Sequence, residues 1–363
     1  MLKKISLLVL VVVFPSLTSL AQDSARVSPI SITGYADAYY AYYTDSVGAG
    51  NYQKFPSVSP RSDNFGLNTA HLNFQYDAEK VRGTVTLHFG DITRSAWSDT
   101  FNSIMEAHAG VRLSKKIWID AGFFRTHVGT EGLLPKENIT SSVSVCTFYE
   151  PYFESGIRLN YVASDKLTIN LFVLNGYNIY EENNKKKSAG VLATYTFNDK
   201  LNIGYSNYVG DDSPEGLPVS YLRIYQNLFI NYQLNKLKIQ AGGDVAVQEN
   251  SDFFDTKKSA MMYSGVAALK YQFTSKFAAY TRGEIFNDDQ GFMSGIIIDK
   301  KSIPTGFKLI GFTAGVEYKP TDNSYIRFEG RQLQMDKDQE IFWWNGNSES
   351  TRMEAMINMG VSF

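Results

Sequence analysis

The chain has 363 residues, with 35 lysines and arginines against 37 aspartates and glutamates and a formal net charge of −2. This near-neutral balance gives no reason to expect a nucleic-acid partner, which would favour a basic surface. The single cysteine, Cys146, excludes an intramolecular disulfide. Beyond the N-terminus no stretch has the roughly 20 apolar residues that a membrane helix needs, so any insertion into a bilayer must use strands.

The N-terminus is typical of a secretory signal peptide. Lys3 and Lys4 precede an apolar core at residues 5–14, and small residues stand just before the expected cleavage point. The core is too short to cross a bilayer as a helix, although an N-terminal membrane anchor is the alternative. We therefore expect residues 1–21 to be removed on export and residues 22–363 to form a single domain.

Six short polar turns divide the rest of the chain, and each is closed by a lysine that an apolar residue follows at once. The turns lie roughly 34 to 50 residues apart, an interval that fits two strands and one loop. The pairs are Lys80-Val81, Lys116-Ile117, Lys166-Leu167, Lys200-Leu201, Lys236-Leu237 and Lys276-Phe277. Because apolar and polar residues alternate on both sides of each turn, the sequence predicts a series of β-hairpins.

The alternation predicts sixteen strands of about 9–15 residues, each long enough to cross a hydrocarbon layer at a tilt. The predicted strands are residues 30–43, 67–77, 81–90, 104–113, 117–126, 152–163, 167–176, 188–197, 201–209, 220–234, 237–248, 259–273, 277–287, 306–318, 324–335 and 351–363. Short turns alternate strictly with long loops between these strands. This order is typical of an up-and-down barrel, whereas a Greek-key sandwich does not require it.

One face of each predicted strand is apolar, and the opposite face carries the charges. In the strand at 167–176, Leu171 lies on the apolar face and Asn170 on the other. Lipid can contact only the apolar face, because a lipid-facing charge at mid-bilayer costs about 2–4 kcal/mol. An aromatic residue also precedes most short turns on the apolar face, as in the girdles of membrane barrels. These residues are Tyr76, Tyr161, Phe197, Tyr232, Phe273 and Tyr318.

We therefore predict an all-β protein, a transmembrane antiparallel up-and-down barrel with short periplasmic turns and long extracellular loops. A barrel of about sixteen strands encloses water rather than packed side chains. The predicted function is a passive channel for small hydrophilic solutes and ions, without enzymatic activity or cofactor. The predicted location is the outer membrane of a Gram-negative-type bacterium, among lipids and lipopolysaccharide. Barrels of this size often form trimers, so a homotrimer is an open alternative.

The last predicted strand ends the chain on Phe363. A terminal aromatic residue on an amphipathic strand resembles the signal by which the barrel-assembly machinery recognises outer-membrane proteins. We expect Phe363 to act as this insertion signal. The alternative is an ordinary edge strand that happens to end in phenylalanine.

The longest connection, residues 126–152, is the third extracellular loop and is called loop 3 below. A loop of more than about 15 residues is usually functional or disordered. In barrels of this size the corresponding loop commonly folds into the lumen. Because loop 3 carries Glu131, Lys136 and Glu137, we expect a charged constriction, with a disordered surface loop as the alternative.

The polar strand faces bring charges of both signs to the predicted lumen. The candidate pore-lining residues are Asp37, Arg82, His88, Arg112, Asp120, Glu154, Arg158, Asp244, Arg282, Glu284, Glu317, Arg327, Glu329 and Arg331. Near-equal numbers of cations and anions argue against a strong field of one sign. They favour a salt-bridged wall that solvates the pore over an arginine ladder for an anionic solute.

Four segments together resemble the OmpL-like family of outer-membrane porins. They are AGFFRTHVGTE at 121–131, LNGYN at 174–178, RGEIFND at 282–288 and TAGVEYKP at 313–320. The first is similar to the family's G-K-F-x-T-x-x-G-x-E stretch, except that Phe123 stands where a lysine is usual. The resemblance rests on the order and spacing of the four segments together. The resemblance implies a porin barrel and supplies no known substrate.

Other functions are left open by the residues. A closed, substrate-specific, structural or adhesive barrel would show the same strands. A barrel hydrolase is less favoured, because His127 is the only histidine near the rim and no G-x-S-x-G occurs. His71, His88 and His108 face the predicted lumen and could bind a transition metal, although no register is established between all their strands; we expect no metal site.

Arg125 breaks the pattern of its strand. It follows the lipid-facing phase set by Ile117 and Ile119. Either it lies above the bilayer, or a bulge near Gly122 shifts the phase of the residues beyond it.

Overall fold

The computed structural model describes residues 29–45 and 47–363. The predicted signal peptide at 1–21 lies outside the described residues. The described residues form a closed barrel of sixteen antiparallel strands, in which each strand pairs with its sequence neighbours and the last strand pairs with the first. The predicted fold class and strand number are confirmed.

The strand bounds agree with the sequence pattern to within a few residues. The strands are β1 (Ile30–Tyr43), β2 (Asn64–Asp77), β3 (Val81–Phe89), β4 (Ile104–Ser114), β5 (Ile117–Arg125), β6 (Phe153–Val162), β7 (Leu167–Leu174), β8 (Ser188–Asn198), β9 (Leu201–Asp211), β10 (Leu222–Leu234), β11 (Leu237–Gln248), β12 (Ala260–Gln272), β13 (Phe277–Asp288), β14 (Phe307–Tyr318), β15 (Ser324–Met335) and β16 (Thr351–Ser362). β2 begins at Asn64 rather than at residue 67, because Asn64 still pairs with Ala41 of β1. A bulge in β2 at Asn68, opposite Asp37 and Ala38 of β1, shifts the register between these two strands.

The short turns show why a lysine follows a polar pair. Between β10 and β11, Leu234 pairs with Leu237, and Asn235 takes a left-handed backbone conformation with φ 50°. Asparagine tolerates this conformation, which a two-residue hairpin turn requires. The next residue, Lys236, donates from Nζ to the Phe273 carbonyl of the neighbouring turn at 3.2 Å. The turn lysines can therefore tie adjacent hairpins together.

The two faces of each strand differ as the alternation predicts. In β7, Leu171 is 46 % exposed on the outside and Phe172 is 5 % exposed on the inside. Tyr76, Tyr161, Phe197 and Phe273, which precede short turns, are also more than one third exposed. An outer surface of leucine, valine, phenylalanine and tyrosine is the surface that a lipid bilayer stabilises.

The end of the chain closes the barrel. Tyr35 to Tyr43 of β1 pair with Ser362 to Glu354 of β16. Beyond this ladder, Phe363 accepts from the Gly34 amide at 2.7 Å and donates to the Gly34 carbonyl at 3.0 Å. The ring of Phe363 is 69 % exposed on the outside of the barrel. Its role as an insertion signal stays a prediction.

The few helical residues of the described fold lie in the long loops. The helix α1 (Asp91–Ala96) lies in the loop after β3, and α2 (Val145–Tyr149) lies in loop 3. Loop 3 also contains a 3-10 turn at Pro135–Glu137. Two small hairpins lie in the last two loops, pairing residues 297–298 with 304–305 and 342–344 with 347–349. Among the described residues, no helix has the length and hydrophobicity to span a membrane.

Candidate functional site

Loop 3 leaves β5 and crosses the interior of the barrel to the opposite wall. There Arg282 of β13 is fully buried and donates from Nη1 to Thr140 Oγ1 at 2.9 Å and to the Ser142 carbonyl at 2.5 Å. The same nitrogen lies 3.1 Å from Glu131 Oε1. One wall arginine therefore binds loop 3 through both a carboxylate and the backbone.

The next wall strand but one, β15, holds an adjacent part of loop 3. Arg327 donates from Nη1 to the Pro135 carbonyl at 2.8 Å and from Nη2 to the Asn138 carbonyl at 3.2 Å. Glu329 accepts from the amides of Ser141 and Ser142 at 2.6 and 2.9 Å. A loop inside a barrel must satisfy its backbone polar groups without a sheet ladder, and here charged wall side chains do so.

The start of loop 3 is held by a histidine on the side where the loop begins. His127 Nδ1 lies 2.8 Å from Glu154 Oε2, and Nε2 lies 2.7 Å from the Asn207 carbonyl. The ring stacks on Phe172 at 4.2 Å between centroids. A neutral imidazole has one N–H, so two acceptors at its two nitrogens require the doubly protonated ring. A Cβ on Gly190 of β8 would lie 2.2 Å from Nε2, so only glycine at this position lets β8 approach the His127 ring so closely.

The position of Arg125 resolves the irregular phase of β5. Its guanidinium points into the barrel and forms an ion pair with Glu137 of loop 3 at 2.5 Å. Gly122, three residues earlier, has φ 137°, a conformation that glycine adopts readily. The pairing of β5 with β4 and with β6 continues in register through Gly122, so the predicted bulge is absent there, and we attribute the inward turn of Arg125 to the backbone conformation of Gly122.

The remaining wall charges form short chains of alternating sign. Asp120 is fully buried between Arg82 and Arg158, with N–O distances of 2.5 and 3.1 Å. Arg331 bonds Glu284 at 2.7 Å. On β16, the buried Arg352 bonds Glu354 and also reaches Gln53 of the first long loop at 2.6 Å. The interior wall is therefore extensively charge-paired, and two loops join its network.

The extracellular half of the lumen contains an aromatic cluster that the strand pattern did not indicate. Phe55 of the first long loop packs against Phe148 and Tyr149 of loop 3, with ring centroids 5.6 and 6.4 Å apart. Phe307 and Phe342 contact the same ring at 6.3 and 6.4 Å. These contacts join three separate loop regions above the strand wall, so the lumen is narrow at its outer end.

Two cavities lie beside loop 3, the first against β1–β6 and the second extending to β8 and β10. One of about 400 Å³ is lined by charged and histidine side chains, among them Arg82, His71, His108, Glu106 and Lys136. A second of about 370 Å³ runs along residues 126–133 of loop 3. The two share Glu106, Arg125 and Arg158 in their linings. Polar space therefore persists beside loop 3 although the loop fills the middle of the barrel.

Several predicted lumen residues lie apart from loop 3. Asp37 is buried and accepts from Asn68 and Tyr325 at 2.6 and 2.5 Å. His88 is buried, with its ring centroid 4.7 Å from that of Trp97. Arg112 is exposed at the periplasmic rim, where it donates to turn carbonyls at 3.1 to 3.4 Å.

Asp244 belongs to a buried acidic group with Cys146 and Glu150, of which only Asp244 was a predicted lumen residue. Its Oδ2 accepts from Cys146 Sγ at 3.4 Å and from Ser264 Oγ at 2.8 Å. Glu150 of loop 3 lies in the same group. Burial raises the pKa of Glu150 well above its usual range, and Asp244 and Glu131 add to this shift. Among the described residues the three lumen histidines do not form a comparable group of metal ligands.

Sequence reasoning missed the neutral contacts inside the barrel, which join wall strands to each other and to loop 3. Tyr35 and Tyr325 share a 2.6 Å hydrogen bond between their hydroxyls. Gln240 donates to the Thr130 carbonyl of loop 3 at 2.9 Å, and Asn227 donates to Thr130 Oγ1 at 3.0 Å. Their inward phase in the alternation was the available signal. Their partners depend on the path of loop 3, which has no periodic pattern.

Comparison with known proteins agrees with this architecture. The family model described as "Putative beta-barrel porin-2, OmpL-like" matches residues 29–363. An anion-selective porin from Comamonas acidovorans is 8 % identical and has a TM-score of 0.61, over 92 % of this chain and 99 % of that one. The outer-membrane channel DcaP of Acinetobacter baumannii is 11 % identical with a TM-score of 0.61, over 95 % and 100 %.

Salmonella typhi OmpF, in a complex with daunomycin, is 13 % identical with a TM-score of 0.57, over 92 % of this chain and 97 % of that one. At such identities the solved structures show a shared fold alone. No curated protein sequence matches the chain. The family match spans every described strand, and the chain therefore belongs to the OmpL-like β-barrel porin-2 family, whose barrel forms a passive channel in the outer membrane.

Proposed function

We propose that loop 3 is the constriction of this porin and sets the size of the small hydrophilic solutes and ions that pass. The fastening of loop 3 to β13 and β15 supports this proposal, because it holds the loop across the lumen rather than above it. Lys136 and Glu137 at the tip of loop 3 are exposed to the polar cavities below. Solutes then pass beside this tip, along a wall whose charges are largely paired.

The constriction is tested by deleting residues 132–142 of loop 3. Single-channel conductance in a planar bilayer should rise severalfold, because the segment that crosses the lumen is gone while all sixteen strands remain. The control is a deletion of residues 253–257 in the exposed sixth loop, which should leave conductance unchanged. If both deletions leave conductance at the level of the intact protein, loop 3 does not limit passage.

A closed or substrate-specific barrel is the second candidate. The aromatic contacts of Phe55 favour it, because they join loop 3 to the first and last long loops at the outer end of the lumen. The same bilayer recordings separate the candidates, since a closed barrel conducts only after the deletion in loop 3. We propose no catalytic role: His127 is held by Glu154 and Asn207, and no described serine is bonded to its ring.

The proposed biogenesis follows from the two ends of the chain. We infer that residues 1–21 are a cleaved signal peptide and that residues 22–363 are one domain. The barrel-assembly machinery would then recognise β16 and Phe363, whose ring lies exposed on the outside of the seam. Lipopolysaccharide would meet the exposed lysines of the fourth loop, such as Lys185. A homotrimer is the proposed assembly, tested by cross-linking in intact outer membranes.

The orientation of the barrel predicts which cysteines a membrane-impermeant reagent reaches on intact cells. In a Cys146→Ser background, Asn183→Cys in the fourth loop should be labelled, and Ser164→Cys in the turn between β6 and β7 should be protected. Both side chains are exposed in the structure, so the membrane alone decides the difference. After cell lysis both should react. The reverse pattern on intact cells would mean that the barrel is inserted upside down.

A further inference from the structure

A third cavity lies on the other side of the loop 3 tip, near the short turns of β11 to β15. Its volume is about 420 Å³. The charged side chains in its lining are the cations Lys136, Lys238, Lys270, Lys319 and Arg327 and the anions Glu317 and Asp322. Five cations against two anions leave an excess of three positive charges around one cavity.

The pairing inside this cavity concentrates the excess on particular lysines. Glu317 serves two cations at once, bonding Lys270 and lying 2.8 Å from Arg327. Asp322 is exposed in the turn after β14. Within the part of the chain that the structure describes, Lys238 and Lys136 form no ion pair. The cavity is therefore unlike the rest of the interior wall, where arginines and carboxylates are matched.

The register places two of the lysines in an unfavourable arrangement. Lys238 of β11 and Lys270 of β12 are directly opposite each other in the antiparallel ladder. Like charges at such a position repel and destabilise a sheet. Lys136 approaches from the loop, with its ammonium 4.4 Å from the centroid of the Tyr35 ring and 3.5 Å from His71 Nε2. An anion between the wall and the loop tip would offset this repulsion.

We propose that this cavity is a binding site for the anionic group of a small solute, a carboxylate or a phosphate, held between Lys238 on the wall and Lys136 on loop 3. The proposal rests on the passage of solutes beside loop 3 and adds the chemical class that is preferred. Ammonium groups suit such anions because each presents several donors and a full positive charge.

The first test is electrical. In a potassium chloride gradient the intact porin should show a reversal potential on the anion-selective side, and inorganic phosphate added from the periplasmic side should reduce the current. Lys238→Gln and Lys136→Gln should each weaken the phosphate block about tenfold, while Lys238→Arg should retain most of it. Lys257→Gln in the exposed sixth loop removes the same charge and should change neither quantity.

The second test measures binding directly, because it gives a result even if the channel is closed and carries no current. Calorimetric titration of phosphate or succinate into the detergent-solubilised barrel should show one site, weakened in the two glutamine variants and intact in Lys257→Gln. Binding of phosphate alone would identify a phosphate site, and binding of both anions a general one. Absence of binding by either anion, or equal binding in every variant, overturns the proposal. Open channels without anion preference would overturn it while leaving the constriction by loop 3 intact.

Discussion

Replacing Arg282 with methionine is expected to lower the free energy of unfolding by about 3–5 kcal/mol, the usual cost of removing one partner from a buried ion pair. Its guanidinium is fully buried and bonds Glu131 of loop 3 and Glu284 of its own strand. Methionine fills a similar volume but leaves the carbonyls of Ser142 and Val143 without the guanidinium donors. Urea unfolding in lipid vesicles measures the loss, and open-channel current noise should rise because loop 3 is held less firmly.

The matched control is Arg112→Met. Arg112 is an interior-phase arginine at the exposed rim, where its bonds are to turn carbonyls. A substitution at such a site usually changes stability by less than about 0.5 kcal/mol. Equal losses of stability in the two variants would mean that the contacts of Arg282 with loop 3 contribute nothing beyond the removal of an arginine.

The second large effect is expected on the outer surface of β7. Leu171 is 46 % exposed and lies about five residues above the periplasmic turn, near the bilayer midplane at roughly 3 Å of strand per residue. Leu171→Arg should therefore lower barrel stability in lipid vesicles by about 2–4 kcal/mol, because lipid surrounds the new charge. Urea titration followed by tryptophan fluorescence gives the free energy.

The adjacent residue supplies the internal control. Asn170 points inward, where its Oδ1 accepts from Asn160 Nδ2 at 2.9 Å. Asn170→Arg should leave folding nearly intact and move the reversal potential toward anions, since the new charge lines the lumen. If Asn170→Arg is instead the damaging substitution, the two faces of β7 are exchanged. If both arginines are tolerated equally, no bilayer surrounds this strand.

The strand framework could be read from the sequence because its signal is local and repeated. Side chains alternate between lipid and lumen with a period of two, so a ten-residue strand contains about five residues that indicate which face is apolar. The dipeptides of a turn lysine and an apolar residue then show where each hairpin turns. β5 is the exception, where a single irregular backbone at Gly122 brings Arg125 inward, and the alternation alone could not choose between that and a position above the bilayer.

The candidate site was predictable only as a list of residue types. The sequence indicated that Arg282, Glu284, Arg327 and Glu329 share an interior face, and the structure places all four there. Their partners were not predictable, because they lie in a loop more than a hundred residues away in the chain. The group of Cys146, Glu150 and Asp244 could not be predicted either, because it forms where loop 3 meets β11.

The sequence by itself determined the architecture of this protein, its two chemically different barrel surfaces and its membership of a porin class. The physical reason is that alternate residues of each strand face lipid on one side and water on the other, and therefore must be apolar and polar in turn. Only the tertiary structure decided which charges cancel. Arg327 is paired with Glu317, whereas Lys238 faces Lys270 and forms no ion pair with any residue that the structure describes. Such pairing depends on strand register and on the path of loop 3 through the lumen, which are set by contacts between distant segments and leave no periodic trace in the chain.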